Sequence, residues 1–352
     1  MIRTRPRENE IVEVGTDFQA SSLDVLGRAR VSDDWLSALL ARLAPVGVGE
    51  LVLLSTCNRF EIYAVTDAPE EAIAALEAEI GAILADEEGD VDLLVRRGDE
   101  AVYHLVAVAA GLESALLGEH EILGQVRRAY ASAAEAGAAG RVLGRLFKHA
   151  VRHGHRIRRG LGISGLRRSL TDVAAALIAS KLAEPERRAA ALVGAGETAA
   201  QMARHLRTLR IGTLTVLNRS PSPSRELARA VNGRAESLDR LATLLPEIDL
   251  LVLATAAPGP LLEESVVRRA LQGRRGYVLV VDLGLSPNAE SAVARHPLVT
   301  TLTLSDVVAL AVAESKRERP PTAEVETWVE EAVADFASRQ RSGMRDPLRA
   351  PE

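Results

Sequence analysis

Cys57 is the only cysteine among 352 residues, and it sits in Ser55-Thr56-Cys57-Asn58-Arg59, directly after the apolar run ELVLL. By residue type alone, a single cysteine is a small buried hydrophobe. Its polar neighbours argue against a core position, and the Arg59 guanidinium adds a positive field that favours thiolate. A thiolate emerging at the carboxyl end of a strand is placed to attack a substrate carbonyl. It needs a partner to manage protons, and His104, in Ala101-Val102-Tyr103-His104-Leu105, is chosen over the other histidines. A satisfied core histidine is the competing reading of His104. One cysteine, with no His-x-x-His and no carboxylate pair, argues against a metal centre.

A second constellation lies far along the chain. Gly194-Ala195-Gly196-Glu197-Thr198-Ala199 follows an apolar run and opens a helical pattern, the setting in which glycines let a backbone approach a pyrophosphate at a helix N-terminus. Where such a fold usually places an acid on the ribose, this chain has Asn218-Arg219-Ser220. A cation and a hydroxyl suit a 2′-phosphate, so NADPH is expected rather than NADH. Thr255 ends another apolar run and is expected near the nicotinamide side of the crevice, an ordinary strand-end residue being the alternative.

The third feature is charge. Residues 136 to 171 contain nine Arg or Lys, three His and no acid, although the chain as a whole carries a formal net charge of −5. Leu143, Leu146, Phe147, Ala150, Val151 and Ile157 form an apolar stripe between Arg145, Lys148, Arg152 and Arg156. His149, His153 and His155 read as part of the same cationic face. Such a face binds polyanions, nucleic acid above all, unless it is merely solvated.

These residues need elements to hold them. Apolar residues make up 47%, charged residues 26% and aromatics 3%, the balance of a folded globular chain with Leu-, Val- and Ala-rich cores. Strands are expected at 10–15, 50–55, 60–66 and 91–96, with helices from Ser32 and Pro69 and an almost wholly helical stretch over 99–160. Apolar runs at the glycine turn, at 213–220, at 249–255 and at 277–285 alternate with helical patterns, which predicts a doubly wound parallel sheet. A final helix of about 20 residues is expected after Pro320-Pro321. The fold class is thus α/β. With no signal-peptide core and no long apolar span, a cytoplasmic protein without membrane contact is expected.

Taken together, LLSTCNRFEIYAV (53–65), AVAAGLESALLGEHEILGQVRRAY (107–130), VGAGETA (193–199), VLNRS (216–220) and VVDLGLSP (280–287) closely resemble glutamyl-tRNA reductase in order and spacing. The resemblance implies a catalytic, aminoacyl-tRNA-binding domain over 1–165, a Rossmann-type NADPH domain over 166–304, a spinal helix region over 305–341 and a tail over 342–352. It implies that Cys57 attacks the ester joining glutamate to tRNA and that hydride reduces the thioester to glutamate 1-semialdehyde. Arg59 would hold the substrate carboxylate through its guanidinium fork. Thr56, His104 and Ser114 fall on family active-site positions, and Asn58, Glu119, Glu121 and Gln125 join the substrate-binding set. A tRNA substrate would account for the acid-free helix.

The chain also departs from the family. Asp17-Phe18-Gln19-Ala20-Ser21-Ser22 replaces an N-terminal run with His and Lys or Arg, Glu121 replaces a glutamine, Gly165-Leu166-Arg167-Arg168-Ser169 is bulky and basic, and Asn288 stands where the family has arginine. The dimerisation domain that would follow the spinal helix is expected to be absent, leaving a homodimer open. Two further readings follow: a diverged relative that reduces another aminoacyl-tRNA, and a noncatalytic tRNA-binding protein. A downstream aldehyde-using enzyme such as an aminomutase is the expected protein partner.

Overall fold

The computed structural model describes residues 9–29, 31–32, 34–85, 91–119, 121–163, 169–257 and 259–344, without the side chains of 342–344. The altered residues Gly165 to Arg168 lie outside the described residues. The chain forms two compact units, one of Met1–Arg167 with Glu314–Glu352 and one of Arg168–Ala313.

The first unit is built on four strands, β1 (Glu10–Asp17), β2 (Val48–Ser55), β3 (Arg59–Thr66) and β4 (Leu94–Arg97). They form one antiparallel sheet in the order β2-β3-β1-β4. Every residue of β3 is buried, so helices must cover both faces of the sheet. That cover comes from α2 (Trp35–Leu43), α3 (Pro69–Leu84), α4 (Asp99–Ala110), α5 (Ile122–Glu135) and α6 (Arg141–Gly160), while α1 (Leu23–Arg28) packs on α3. β4 is shorter than expected because it is an edge strand whose alternate residues are exposed. Helices α4 and α6 pack so closely that a Cβ at Gly154 would stand 2.8 Å from the Ala109 carbonyl oxygen. Only glycine fits there.

The second unit begins at α7 (Leu170–Lys181), capped by Ser169 and Asp172 in a reciprocal capping box. Its sheet holds six parallel strands in the order β10-β9-β8-β5-β6-β7: β5 (Ala189–Val193), β6 (Thr213–Asn218), β7 (Arg234–Ser237), β8 (Leu250–Leu253), β9 (Val278–Asp282) and β10 (Val299–Thr303). Helices α8 (Glu197–Thr208), α9 (Pro221–Ala230), α10 (Leu241–Leu244) and α11 (Glu264–Ala270) link them. Ala191, Val193, Leu217, Leu251, Leu253 and Val280 anchor one face of the core. The expected α/β architecture with a doubly wound parallel sheet is therefore present, including two edge strands, β7 and β10, that the apolar runs did not reveal.

The spinal helix region holds two helices, α12 (Leu304–Glu318) and α13 (Thr322–Met344), the second being the final helix expected after Pro320-Pro321. Pro320 and Pro321 have no N–H to donate and disfavour helix in the residue before them. The Pro321 carbonyl then accepts from Glu324 and Val325 to start α13. In the first unit α13 packs on α4 and α6, burying Val329, Ala332 and Phe336. No helix among the described residues is long and apolar enough to cross a membrane.

Candidate active site

Cys57 occupies the tip of the β2–β3 hairpin, between the two strands expected on either side of it. The Thr56 N–H donates to the Arg59 carbonyl at 2.9 Å and the Asn58 N–H to Thr56 Oγ1 at 3.1 Å, so Thr56 fixes the tip. Asn58 is buried, and its backbone carbonyl accepts from the Phe18 N–H. The altered Asp17 to Ser22 run thus lies against the hairpin, where Asp17 Oδ1 closes a turn with Gln19 and Ala20.

Below the tip, β3 alternates Arg59, Glu61 and Tyr63 on one face. Arg59 is 1% exposed, and its Nη1 donates to Glu61 Oε1 at 2.5 Å while Nη2 donates to the Glu113 carbonyl. Glu61 also accepts from Tyr63 Oη at 3.0 Å and bonds His104 Nε2 at 2.9 Å. Burial would raise the Glu61 carboxyl, but Arg59 and His104 outweigh it and hold the group well below the ordinary range. On β1, Glu13 is buried beside this network with Oε2 on Arg96, and burial followed by the Glu61 charge pushes it up to about 7.

Two expectations change here. His104 hydrogen-bonds Glu61, not Cys57, and lines a cavity of about 630 Å³ with Arg96, Tyr103, Glu113 and Glu330, a set that does not include Cys57. Arg59 does favour the thiolate, but it is the weakest influence on it. Cys57 is half-buried, and the protein around its thiol, then Glu119 and Glu121, push it up to about 12. The guanidinium fork expected to hold a substrate carboxylate is already spent on Glu61 and Glu113. Any incoming carboxylate must compete with Glu61 for it.

The loop between α4 and α5 brings Ser114 and Glu119 to this region. Glu119 is 4% exposed, and burial together with the Glu121 charge pushes its carboxyl up to about 7. Ser114 Oγ is buried and bears on that carboxylate without reaching hydrogen-bond geometry, so it is left without a partner. The loop is held from several sides: Arg158 of α6 donates to the carbonyls of Gly118 and Glu119 at 2.6 and 2.7 Å, Ser315 Oγ bridges Leu117 N–H and the Ala115 carbonyl, and Arg319 donates to the Leu112 carbonyl. Sequence reading missed Glu13, Glu61, Arg158, Ser315 and Arg319. Only the Arg59-x-Glu61-x-Tyr63 alternation inside an apolar strand carried a local signal. Gln125 lines a separate cavity of about 690 Å³ with Trp35, Ser55 and Arg128.

The basic helix divides into two faces. Arg145, Lys148, Arg152 and His155 are exposed, whereas His149 and His153 are buried against α13. Burial pushes His149 down to about 4 and lowers His153, so neither adds charge to the cationic face. Arg156 is drawn toward α13, with Nη2 3.6 Å from Glu331 and its guanidinium over the Trp328 ring.

In the second unit, Gly194 has φ +117, and a Cβ there would stand 2.2 Å from the Ala254 carbonyl oxygen. Gly196 then caps α8, leaving Gly196, Glu197 and Thr198 exposed at a helix N-terminus while Ala195 is half-buried. Arg219 and Ser220 are exposed at the end of β6, where Asn218 Nδ2 donates to the Ser220 carbonyl. Thr255 Oγ1 donates to Asn288 Oδ1 at 3.0 Å. Asn288 is fully buried, and its N–H, with those of Gly284 and Ala289, donates to Asp282 at the end of β9.

Comparison with known proteins decides the family. The model described as the N-terminal domain of glutamyl-tRNAGlu reductase matches residues 14–160, and that of shikimate / quinate 5-dehydrogenase matches residues 176–310. A glutamyl-tRNA reductase of Deinococcus radiodurans is 33% identical over 334 residues, covering 95% of this chain and 93% of its own length. This chain belongs to the glutamyl-tRNA reductase family. The family member from Alcanivorax borkumensis is 34% identical over 96% of this chain and 80% of its own. The solved glutamyl-tRNA reductase from Methanopyrus kandleri, at 32% identity, covers 94% of this chain and 80% of its own with a TM-score of 0.51.

Proposed function

We propose that this chain reduces the glutamyl group of glutamyl-tRNA to glutamate 1-semialdehyde, with NADPH as reductant and Cys57 as the acyl carrier, as a step of tetrapyrrole biosynthesis. The observation that carries the reading is the placement of a half-buried Cys57 at the tip of the β2–β3 hairpin, within the electrostatic influence of Glu119, in a chain whose relatives along almost its whole length are named for this reaction.

The residues divide the work as follows. Thr56 and Asn58 hold the hairpin tip that presents the thiol. A thiol pushed up to about 12 releases its proton only to a neighbouring base, and Glu119, poised at about 7, is that base. Cys57 Sγ then bonds to the acyl carbon, the ester C–O bond breaks, and the departing ribose oxygen takes the proton from Glu119. As that carboxyl gives up and regains its proton, the buried and unpartnered Ser114 Oγ bears on it. Arg59 offsets part of the local negative charge and ties the Glu113 carbonyl to β3. His104 acts as a positioning residue through Glu61. Glu121 and Gln125 complete the substrate-facing set.

The second unit fits the reductant. Exposed Gly196, Glu197 and Thr198 offer backbone N–H groups to a pyrophosphate at the start of α8, the close approach at Gly194 leaves Ala195 beside it, and Asn218, Arg219 and Ser220 suit a 2′-phosphate. When bound, NADPH would supply a hydride to the thioester carbon; the C–S bond then breaks with its electron pair on sulfur, giving the aldehyde and the Cys57 thiolate, which takes up a proton from water. Thr255, held by Asn288, shapes the far end of that crevice. Arg145, Lys148, Arg152 and Arg156 supply the tRNA-facing charge.

The test is to incubate the chain and NADPH with a panel of charged tRNAs while following NADPH oxidation and trapping aldehyde. Glutamyl-tRNA alone should react. Reaction with a different aminoacyl-tRNA, or with none, overturns the assignment.

A further inference from the structure

The Cys57 region absorbs most of the chemistry-bearing residues, but one cluster has no part in it. His149 and His153 are one helical turn apart on α6, with rings stacked at 4.1 Å between centroids. Asp335 of α13, 182 residues from His153 in sequence, turns toward both: its Oδ2 is 3.2 Å from His153 Nε2 and 3.9 Å from His149 Nδ1. The three ligand-type atoms lie within 4.8 Å of one another.

The hydrogen bonds make this more than a charged patch. His149 is 1% exposed, and its Nε2 is bonded to the Ala332 carbonyl at 2.9 Å. A carbonyl only accepts, so Nε2 carries the proton and Nδ1 is left with a bare lone pair. That Nδ1 has no hydrogen-bond partner. A buried lone pair facing a carboxylate oxygen is two acceptors with nothing between them, an arrangement that calls for a shared cation. The carbonyl that fixes the tautomer is also the outer contact a metal-bound histidine ordinarily makes.

We propose that His149, His153 and Asp335 bind one divalent ion of the zinc type, which ties α13 to α6. Metal–ligand bonds of about 2.0 to 2.2 Å in a tetrahedral site put the ligand atoms roughly 3.3 to 3.6 Å apart; the His153–Asp335 pair at 3.2 Å already meets this, and the His149–Asp335 pair at 3.9 Å needs a small closure. Two imidazoles and one carboxylate favour zinc, cobalt or nickel over magnesium or calcium, which prefer oxygen. A cavity of about 520 Å³, lined by Arg152, Arg156, Glu331 and Arg339 around His153 and Asp335, provides the entry path and an open fourth position. Its cationic walls select an anion or hydroxide as the fourth ligand. Arg339 now holds Asp335 through Nε at 2.9 and 3.0 Å, and metal binding takes Oδ2 from it. Arg339 is thus a built-in competitor for the carboxylate.

The experiment uses the full chain, stripped with chelator and titrated with Zn²⁺ and with Co²⁺. One ion per chain is expected, with Co²⁺ showing visible d–d bands but no thiolate charge-transfer band. Asp335→Asn and His153→Gln each weaken binding by about tenfold or more, Cys57→Ser leaves it unchanged, and Arg339→Gln tightens it. Thermal melting with and without Zn²⁺ is the second measurement: the ion raises the midpoint of the unsubstituted chain and not that of Asp335→Asn, whose half-exposed side chain is dispensable for packing. Absence of stoichiometric binding, binding that survives both ligand substitutions, or loss of binding only in Cys57→Ser overturns the site. None of these readouts depends on the reductase reaction.

Discussion

Glu119→Gln removes one proton-binding carboxyl from a buried position and leaves its shape almost unchanged. In the fold Glu119 titrates near 7, against an ordinary value of 4.5, because burial and the Glu121 charge disfavour its ionised form. The protonated form is therefore favoured on folding. Its stabilisation is complete below about pH 4.5 and is lost as pH rises through 7. A gap of about 2.5 pH units at about 1.4 kcal/mol each gives roughly 3.5 kcal/mol over the whole range, of which about 2.5 kcal/mol falls between pH 5 and pH 8. Glutamine mimics the neutral acid and does not titrate. The two forms should thus match near pH 5, and the variant should be more stable by about 2 kcal/mol at pH 8. Both tryptophans, Trp35 and Trp328, lie in the first unit, so urea unfolding followed by tryptophan fluorescence reads the unit that contains Glu119. Glu13 titrates in the same range, which is why the difference between the two chains, not the slope of either, is the readout. A separation that stays constant from pH 5 to pH 8 would refute the placement of Glu119 as a neutral-range buried acid, and with it the base proposed for Cys57.

Other outcomes follow from the same geometry. Cys57→Ser should abolish aldehyde formation while tRNA binding, measured by filter retention, is kept; retained turnover would sink the thioester. Arg158→Ala leaves the Gly118 and Glu119 carbonyls without their donor and should cost about 3 kcal/mol in urea unfolding; a loss below about 0.5 kcal/mol would mean the loop is held without it. Arg145→Glu with Arg152→Glu should weaken tRNA binding and flatten its dependence on salt by about one log–log unit per lost phosphate contact, and an unchanged salt slope would show a merely solvated face. Arg219→Ala should raise the KM for NADPH more than that for NADH; equal effects would remove the 2′-phosphate from its vicinity.

The parts of the fold that were legible in the sequence are those with a local signature. The glycine turn between β5 and α8 has one because Gly194 meets the Ala254 carbonyl at the next strand, a constraint only glycine satisfies. The strands of the second sheet's centre are continuous apolar runs, whereas β7 and β10 are half-exposed edges with no such run. Cys57 was visible from its polar neighbours. Its electrostatics were not, since the residues that set them, Glu119 and Glu121, reach it through a loop some 60 positions on. His149 and His153 of α6 were misread for the same reason. Their partner on α13 is invisible to any window along α6, so spacing alone placed them on the cationic face.

The return of α13 to the first unit also orders events in time. During synthesis, α4 and α6 leave the ribosome long before Val329, Ala332 and Phe336, the residues that cover them. The whole of the second unit is made in between, and it can fold as soon as its last strand, β10, is free. The unit that bears Cys57 must therefore wait, with an apolar helix pair uncovered, until α13 has been made. A nascent chain halted before α13 should expose that pair to chaperones or to proteolysis, while its nucleotide-binding sheet is already closed.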